Sequence, residues 1–415
     1  MIIKEFDYLQ YRYEDKAHFL KPDTFSRLEK FVLDNEETAR YLKVTTKKGF
    51  GKVLQAQNYV GVIQAKDGTT IEILPKITNV SSDEESKAIL LKMLKTLKKS
   101  PFKNFNMAHL KSTKMPLLEI FITMFLEELS KLIQKGIKSD YITKEENLKY
   151  LKGKLKINEQ VKYNYIHKEQ FFIEYQEFLS DRVENQLIKT TLEYLYKKSK
   201  SSRNQQRIRE FLFVFDEIST CKDIKIGFSK VRLDRQMKDY EKVLLWCRTF
   251  LLENSFSPYK GNDVAFALLF DMNMLFESYV YDYLKRYGNF NDIKAQGKGH
   301  HLAYYENKGR FRLKPDIVIN DGAIIADTKW KILSKSKTHQ GVSQDDMYQL
   351  YAYGTKYDAC KDMYLIYPLD KIDKDEGRHY HYFNGKTCES NQGLNLKILF
   401  FDLTEDFKNY KFILE

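Results

Sequence analysis

Residues Lys314–Lys331 read KPDIVINDGAIIADTKWK, and this stretch decides the fold of the C-terminal part of the chain. Asp321-Gly322 separates two apolar, β-branched runs, Ile317–Ile319 and Ala323–Ala326, the strongest short-range signal for a two-residue hairpin. With Asp321 and Gly322 as the loop, Asn320 faces Ala323 and Asp316 faces Asp327. The Cβ atoms of such a cross-strand pair lie about 5 Å apart, where like charges are destabilising unless something neutralises them. A divalent cation does so. Lys329, two residues beyond Asp327, points to the same face because strand side chains alternate. It is placed to orient or activate a water, or to stabilise charge developing on a phosphate.

Oxygen-only donors suit a hard ion such as Mg²⁺ or Mn²⁺, which keeps several waters and binds through one or two carboxylates plus substrate phosphate. As a bare pattern, Pro-Asp followed by Asp-x-Lys is weak in a chain this rich in Lys, Asp and Glu. The hairpin context and the cross-strand register add weight. The bland alternative is a surface hairpin whose acids keep it soluble. Both strands, however, are apolar on both faces, with Val318 and Ile325 behind the acids and Ile317, Ile319 and Ile324 opposite, and surface hairpins seldom are. Arg310, Arg312 and Lys314 share the parity of Asp316. An extended strand would point them toward the site and a bound phosphate, or they form a solvated edge.

Composition sets the outer bounds. The 69 Lys plus Arg against 57 Asp plus Glu give a net charge of +12, which favours a polyanionic partner such as DNA and says nothing about fold. At 415 residues, 43% hydrophobic, the chain exceeds the usual size of a single core. Cys221, Cys247, Cys360 and Cys388 show no C-x-x-C and no paired spacing with the histidines, so neither zinc nor a disulfide framework is expected, as suits a reducing cytoplasm. The opening MIIKEFDYLQYRYEDK carries acids and has no apolar core, so it does not read as a signal peptide. The most hydrophobic helical stretch, Pro116–Ile133, is interrupted by Glu119, Glu127 and Glu128, so no membrane span is expected. Gly49-Phe-Gly51-Lys52-Val53 lacks both the spacing and the final hydroxyl of a phosphate-binding loop, so the chain is not expected to hydrolyse nucleotides itself.

Three parts are expected, in an α/β chain. Residues 1–80 are a small β-rich unit, in which Asp67-Gly68 joins Tyr59–Ala65 to Thr69–Leu74. Residues 81–253 are mainly helical, starting from Ser81-Ser82 as an N-cap followed by acids. Within them Lys197–Arg203 reads as a solvated basic connector. Residues 254–415 follow a boundary at Asn254–Asn262, and helix, hairpin, helix and apolar strands at Met363–Tyr367 and Lys397–Leu403 give an α/β core.

These residues resemble a known family. Asp316, Asp327 and Lys329 match the motif of PD-(D/E)xK nucleases, and more of the chain resembles the McrC subunit of McrBC-type, modification-dependent restriction systems. DMNMLFESYV (Asp271–Val280) looks like that family's helix carrying an extra active-site acid, which would be Glu277; in an apolar helix the same residue could simply face solvent. Gln349 and Tyr353 form a Q-x-x-x-Y on one face of a helix, as in RecB-like nucleases; without the resemblance they are ordinary helix surface or core edge. GVIQAKDGTTIEILPKI (Gly61–Ile77), LKGKL (Leu151–Leu155) and Asn185-Gln-Leu-Ile-Lys189 look like the family's N-terminal and central segments.

The resemblance implies a restriction-endonuclease-like α/β/α core, DNA as substrate, Mg²⁺ or Mn²⁺ at Asp316, Asp327 and Glu277, and a separate AAA+ GTPase ring of the McrB type. GTP would be bound by that partner and not by this chain, and docking would fall to the N-terminal and central parts. Two alternatives stand beside it: a self-sufficient RecB-like DNA repair nuclease, and a non-catalytic activator of an NTPase ring.

Overall fold

The computed structural model of the chain describes residues 1–34, 36–98, 100–104, 115–253, 264–333, 336–370, 378–382, 393–408, 410–412 and 414. Two compact units form: Met1–Lys114 together with Gly261–Glu415, and Met115–Lys260. The three-part reading separates the N-terminal segment from the C-terminal one, yet strands of both lie in a single sheet. Its order is Ile2–Lys4, Thr70–Leu74, Tyr59–Ala65, Val264–Asp271. The boundary read at Asn254–Asn262 lies outside the described residues.

In this first sheet the hairpin read at Asp67-Gly68 forms, pairing Gly61 with Ile73 through to Gln64 with Thr70, a register that makes Lys66 a third loop residue. Val264–Asp271 closes antiparallel on the other side of Tyr59–Ala65, which leaves the central strand buried on both faces and explains its nearly unbroken apolar run. Gly61 (φ +139°) sits where the backbones touch: a Cβ there would collide with the carbonyl oxygen of Leu268. Helix Asp83–Thr96 starts as expected at Ser82, whose hydroxyl accepts the N–H of Glu85 at 3.2 Å, with three acids in the first turn.

The second sheet of this unit has the order Ile293–Ala295, Ile317–Ile319, Ile324–Thr328, Asp362–Pro368, Leu394–Phe401, Arg378–Tyr382. Its three central strands run parallel, and antiparallel strands flank them. Alternation along the strands gives the sheet two apolar faces. One face, with Ile325, Met363, Leu365, Tyr367, Leu396 and Ile398, packs on Leu350 and Tyr353 of helix Gln344–Gly354. From the other, Phe401 meets Phe276, Tyr279 and Tyr283 of helix Met272–Tyr287 at ring-centroid distances of 6.3, 6.0 and 5.3 Å. The mixed α/β class expected from the sequence is what forms.

The unit Met115–Lys260 is helical, as expected, with one exception. Asp140–Leu148 and Phe171–Leu179 pair antiparallel along their full lengths, and Lys154–Leu155 joins them as a third strand. DYITKEENL has too few apolar residues to announce a strand; its partner strand supplies the buried side chains Ile173 and Tyr175. Gly153 belongs to this sheet, lying against the backbone of Glu174 and Tyr175. Asn185 is fully buried, donates to the carbonyls of Lys138 and Ser180 at 3.0 and 2.8 Å, and accepts from Tyr240 at 2.9 Å. Both family-like central segments therefore do structural work. The Lys197–Arg203 stretch is a helix-to-helix connector, and buried Glu119 accepts the backbone N–H groups of Lys200 and Ser201 within it. Among the described residues no helix is long and apolar enough to cross a membrane, and Cys221, Cys247 and Cys360 are free thiols; Cys388 lies outside the described residues.

Replacing Gly61 by Ala would force apart the strands that unite the two ends of the chain. We expect a loss of about 2–3 kcal/mol in denaturant-midpoint measurements on the full-length protein; an unchanged midpoint would contradict the close approach.

Candidate active site

The hairpin has the register its sequence dictates: Ile317 opposes Ala326, Val318 opposes Ile325 and Ile319 opposes Ile324. Continued by one step, that ladder sets Asp316 across from Asp327, and the charge of Asp316 does act on Asp327. Asp321 (φ 53°) and Gly322 (φ 99°) both adopt the left-handed conformation such a turn requires. Asn320 adopts it too (φ 49°), so the ladder ends one pair short of the expected tip.

Asp327 is buried, at 1% exposure, because its strand lies between two others, with Leu365 beside it in register. The Lys329 N–H continues that edge, donating to the Ile366 carbonyl at 2.9 Å. Its ammonium lies 2.6 Å from Asp327 Oδ2, an ion pair that partly offsets the burial of that acid. The same ammonium donates to Gln349 Oε1 at 2.9 Å. Gln349 Nε2 donates to the Tyr353 hydroxyl at 2.6 Å, and that hydroxyl donates to the Lys314 carbonyl at 3.2 Å. The two helical residues thereby close a loop from Lys329 back to the start of the motif. Asp327 has the parity of Ile325, whose face carries this helix, which is why they meet.

Asp316 Oδ2 accepts both the N–H and the hydroxyl of Thr328, each at 2.8 Å. Glu277, half-buried on helix Met272–Tyr287, hydrogen-bonds Gln296, and the Gln296 N–H donates to the Asp316 carbonyl at 2.7 Å. Burial raises Asp316 above the ordinary carboxylate range and the charge of Glu277 raises it further, against the Thr328 donors. Burial likewise raises Asp327, and Asp316 adds to the rise while Lys329 opposes it. Glu277 is raised by burial first, with Asp327 adding. Burial works to lower the Lys329 ammonium, but Asp327 beside it keeps it above its usual value. Burial also pushes the Tyr353 hydroxyl up to about 12, so it stays protonated as a donor.

Among the described residues no three His, Cys, Asp or Glu side chains gather closely enough to form a ready metal cage. Glu277 reaches the two aspartates through charge, not as the third member of a tight cluster. Two mutually repelling carboxylates, one buried and one half-buried, nevertheless fit a hard divalent ion, because Mg²⁺ takes one or two carboxylates and fills its remaining positions with water and substrate oxygens.

Three participants escape the sequence reading. Asp346, one helical turn before Gln349, accepts from Tyr367 at 3.2 Å, approaches Lys331 at 3.5 Å and adds negative charge around Asp327; its three-residue spacing from Gln349 was the available signal. Glu5 is fully buried and binds the Trp330 indole N–H with both oxygens, at 3.1 and 3.0 Å, while accepting the Lys76 N–H at 3.0 Å. Burial pushes it up to about 7. No local signal could reveal a partner this distant in sequence. Thr328 was passed over because alternation turns it away from the acids.

Arg310, Arg312 and Lys314 are exposed. Arg310 and Arg312 lie in a separate two-stranded hairpin, and Phe311 between them has φ 52°. That left-handed residue interrupts the extended strand, so shared parity with Asp316 does not aim these side chains at the acids.

Raised carboxylates bind more protons folded than unfolded, so their stability is present at low pH and lost as pH rises through the folded value. For Glu5 that window runs from its ordinary 4.5 to about 7. We expect Glu5→Gln to flatten part of the fall in Tm between pH 5 and pH 8; an unaltered slope would deny Glu5 its role. Mn²⁺ should raise Tm more at pH 8 than at pH 5, since it needs ionised aspartates, by up to about 2.7 kcal/mol at a hundredfold excess over Kd. Equal shifts at both pH values, or an undiminished shift in Asp316→Asn, would remove these acids from the ion's site.

The chain matches the family described as "McrBC 5-methylcytosine restriction system component" over residues 54–368. A solved structure of Thermococcus gammatolerans McrB AAA+ hexamers with bound McrC contains a chain of the same fold, at 19% identity and TM-score 0.69, covering 99% of this chain and 96% of that one. A structure of the Thermococcus gammatolerans McrBC complex contains another, at 21% identity and TM-score 0.51, covering 69% of this chain and 87% of that one. No curated protein sequence matches. Because the family match spans well over half of the residues, including the acid hairpin and the helix that packs on it, this chain belongs to the family of McrBC 5-methylcytosine restriction system components.

Proposed function

We propose that this chain is the endonuclease subunit of a GTP-dependent, modification-dependent DNA restriction complex, working in the cytoplasm with a AAA+ GTPase ring of the McrB type. The observation that carries this reading is the placement of Lys329, 2.6 Å from buried Asp327 and 2.9 Å from Gln349, beside a second aspartate in cross-strand register. A mixed sheet with a helix on each face supports a restriction-endonuclease-like α/β/α core for it.

Asp316 and Asp327 would hold Mg²⁺ or Mn²⁺, with Glu277 shaping the charge from the adjacent helix. Such an ion supplies Lewis-acid polarisation of the phosphate and a more acidic water. Thr328 fixes one Asp316 oxygen and leaves the other to bind. Gln349 and Tyr353 hold the Lys329 ammonium where it can orient a water or meet charge developing on a phosphate oxygen. The negative potential of the acids keeps that ammonium charged for the second role. The net charge of +12 favours DNA association. Gly49-Phe-Gly51-Lys52-Val53 offers no phosphate loop, and in Thermococcus gammatolerans McrC is bound to AAA+ hexamers. GTP is therefore assigned to the partner.

The test uses the full-length chain, its cognate ring, methylated DNA, GTP and Mg²⁺. Ending the chain before Asn254 would remove a strand of the first sheet, so point variants are preferable. Lys329→Ala and Asp327→Ala should each lower cleavage at least about a hundredfold, while the chain still raises GTP turnover by the ring. Full cleavage by either variant would refute the site. Efficient degradation of DNA by the isolated chain with Mg²⁺ and no nucleotide would favour a stand-alone repair nuclease instead.

A further inference from the structure

The hairpin immediately upstream of the acids has no part in the chemistry described so far. His301–Tyr305 and Lys308–Arg312 pair only with each other among the described residues. Glu306 (φ 48°) and Asn307 (φ 59°) form a two-residue turn. The imidazole of His301 lies over Gly309, where a Cβ would not fit. The rest is open to solvent.

Two properties set this hairpin apart. Between Lys298 and Lys314 five cations (Lys298, Lys308, Arg310, Arg312 and Lys314) accompany a single acid, Glu306. Among the described residues Lys308, Arg310 and Arg312 have no acidic partner. Large aromatic surfaces stand among these charges: Tyr304 is 68% exposed, Tyr305 62% and Phe311 76%. Phe311 also has φ 52°, a conformation costly for a bulky residue. Nothing in the hairpin repays that cost by burial. The strain instead projects a ring between two arginines free to take phosphates.

We propose that this hairpin is a DNA-engaging wing: Lys308, Arg310 and Arg312 bind backbone phosphates, and Phe311 enters the base stack as an apolar wedge. Charge selects the partner, since an unpaired cationic strand is complementary to a polyphosphate backbone, and arginines flanking an apolar side chain suit a protein that unstacks a base step to bend a duplex. The inference rests on the proposal that the acid pair cuts DNA. Phe311 and Asp316 are at most about 18 Å apart along an extended chain, so the wedged step falls within about five base pairs of the scissile bond.

The experiment is carried out in EDTA, so its readout does not depend on cleavage. The full-length chain is titrated onto a duplex carrying 2-aminopurine, with anisotropy reporting binding and fluorescence reporting unstacking. Wild type should bind and raise fluorescence several-fold. Phe311→Gly, which also relieves the backbone and should not lower Tm, should bind with the same salt slope but lose the fluorescence rise, and Phe311→Trp should keep it. Arg310→Gln with Arg312→Gln should flatten the salt slope by about one unit per lost contact. No binding by wild type, no rise on binding, or a rise that survives Phe311→Gly would each overturn the wing. So would an effect of Phe311→Gly on GTPase stimulation alone, which would make the hairpin a protein contact. If the wing holds but Mg²⁺ brings no cleavage, it is the nuclease reading that fails.

Discussion

The structure turns on a repulsion that the backbone refuses to relieve. A hairpin whose loop and apolar runs admit one register puts Asp316 across from Asp327, and neighbouring strands bury the second of them. A slip of one residue would separate the acids but exchange the two packed faces of a strand, setting Ile317 and Ile319 where Val318 fits, so side-chain packing locks in the electrostatic conflict. Each element around the pair answers it. Thr328 gives one acid two donors, Lys329 gives the other a cation, and Gln349 and Tyr353 hold that cation in place. What remains is two mutually repelling carboxylates facing a single ammonium, a standing affinity for positive charge at a fixed point.

Legibility in the sequence followed the range of the interactions. The Asp321-Gly322 register, the Asp67-Gly68 hairpin and the Ser82 cap are local, each set by turn chemistry or capping within a few residues, and each forms as read. The strand Asp140–Leu148 was missed because its polar residues are made strand-like by Phe171–Leu179, a partner some thirty positions away. Glu5 was invisible for the same reason in stronger form: only the completed fold sets it under Trp330. Parity does not hold for Arg310 and Arg312 because Phe311, one left-handed residue between them, breaks the regular strand. Glu277 was named from resemblance, and the structure sets it near the aspartates through Gln296 without closing a three-acid cluster.

Glu5 gives the N-terminal strand a share in the site. It joins the Lys76 backbone, just past the strand Thr70–Leu74, to the residue after Lys329. The Trp330 ring in turn lies 5.5 Å from Phe276, the neighbour of Glu277. A buried carboxylate on an indole N–H is a short link with little slack, so displacement of the first sheet would be felt where Lys329 leaves its strand.

Sharing one sheet between the two ends of the chain also has a consequence for biosynthesis. Some 190 residues separate Leu74 from Val264, and at roughly 5–20 residues per second the ribosome takes about 10–40 s to cross that interval. Throughout it the strand Tyr59–Ala65, apolar on both faces, exposes the edge that Val264–Asp271 will cover. Met115–Lys260 emerges meanwhile, as a compact unit of its own. A polypeptide released in that interval therefore lacks Glu277, Asp316, Asp327 and Lys329 altogether, and keeps an uncovered apolar edge that marks it for removal.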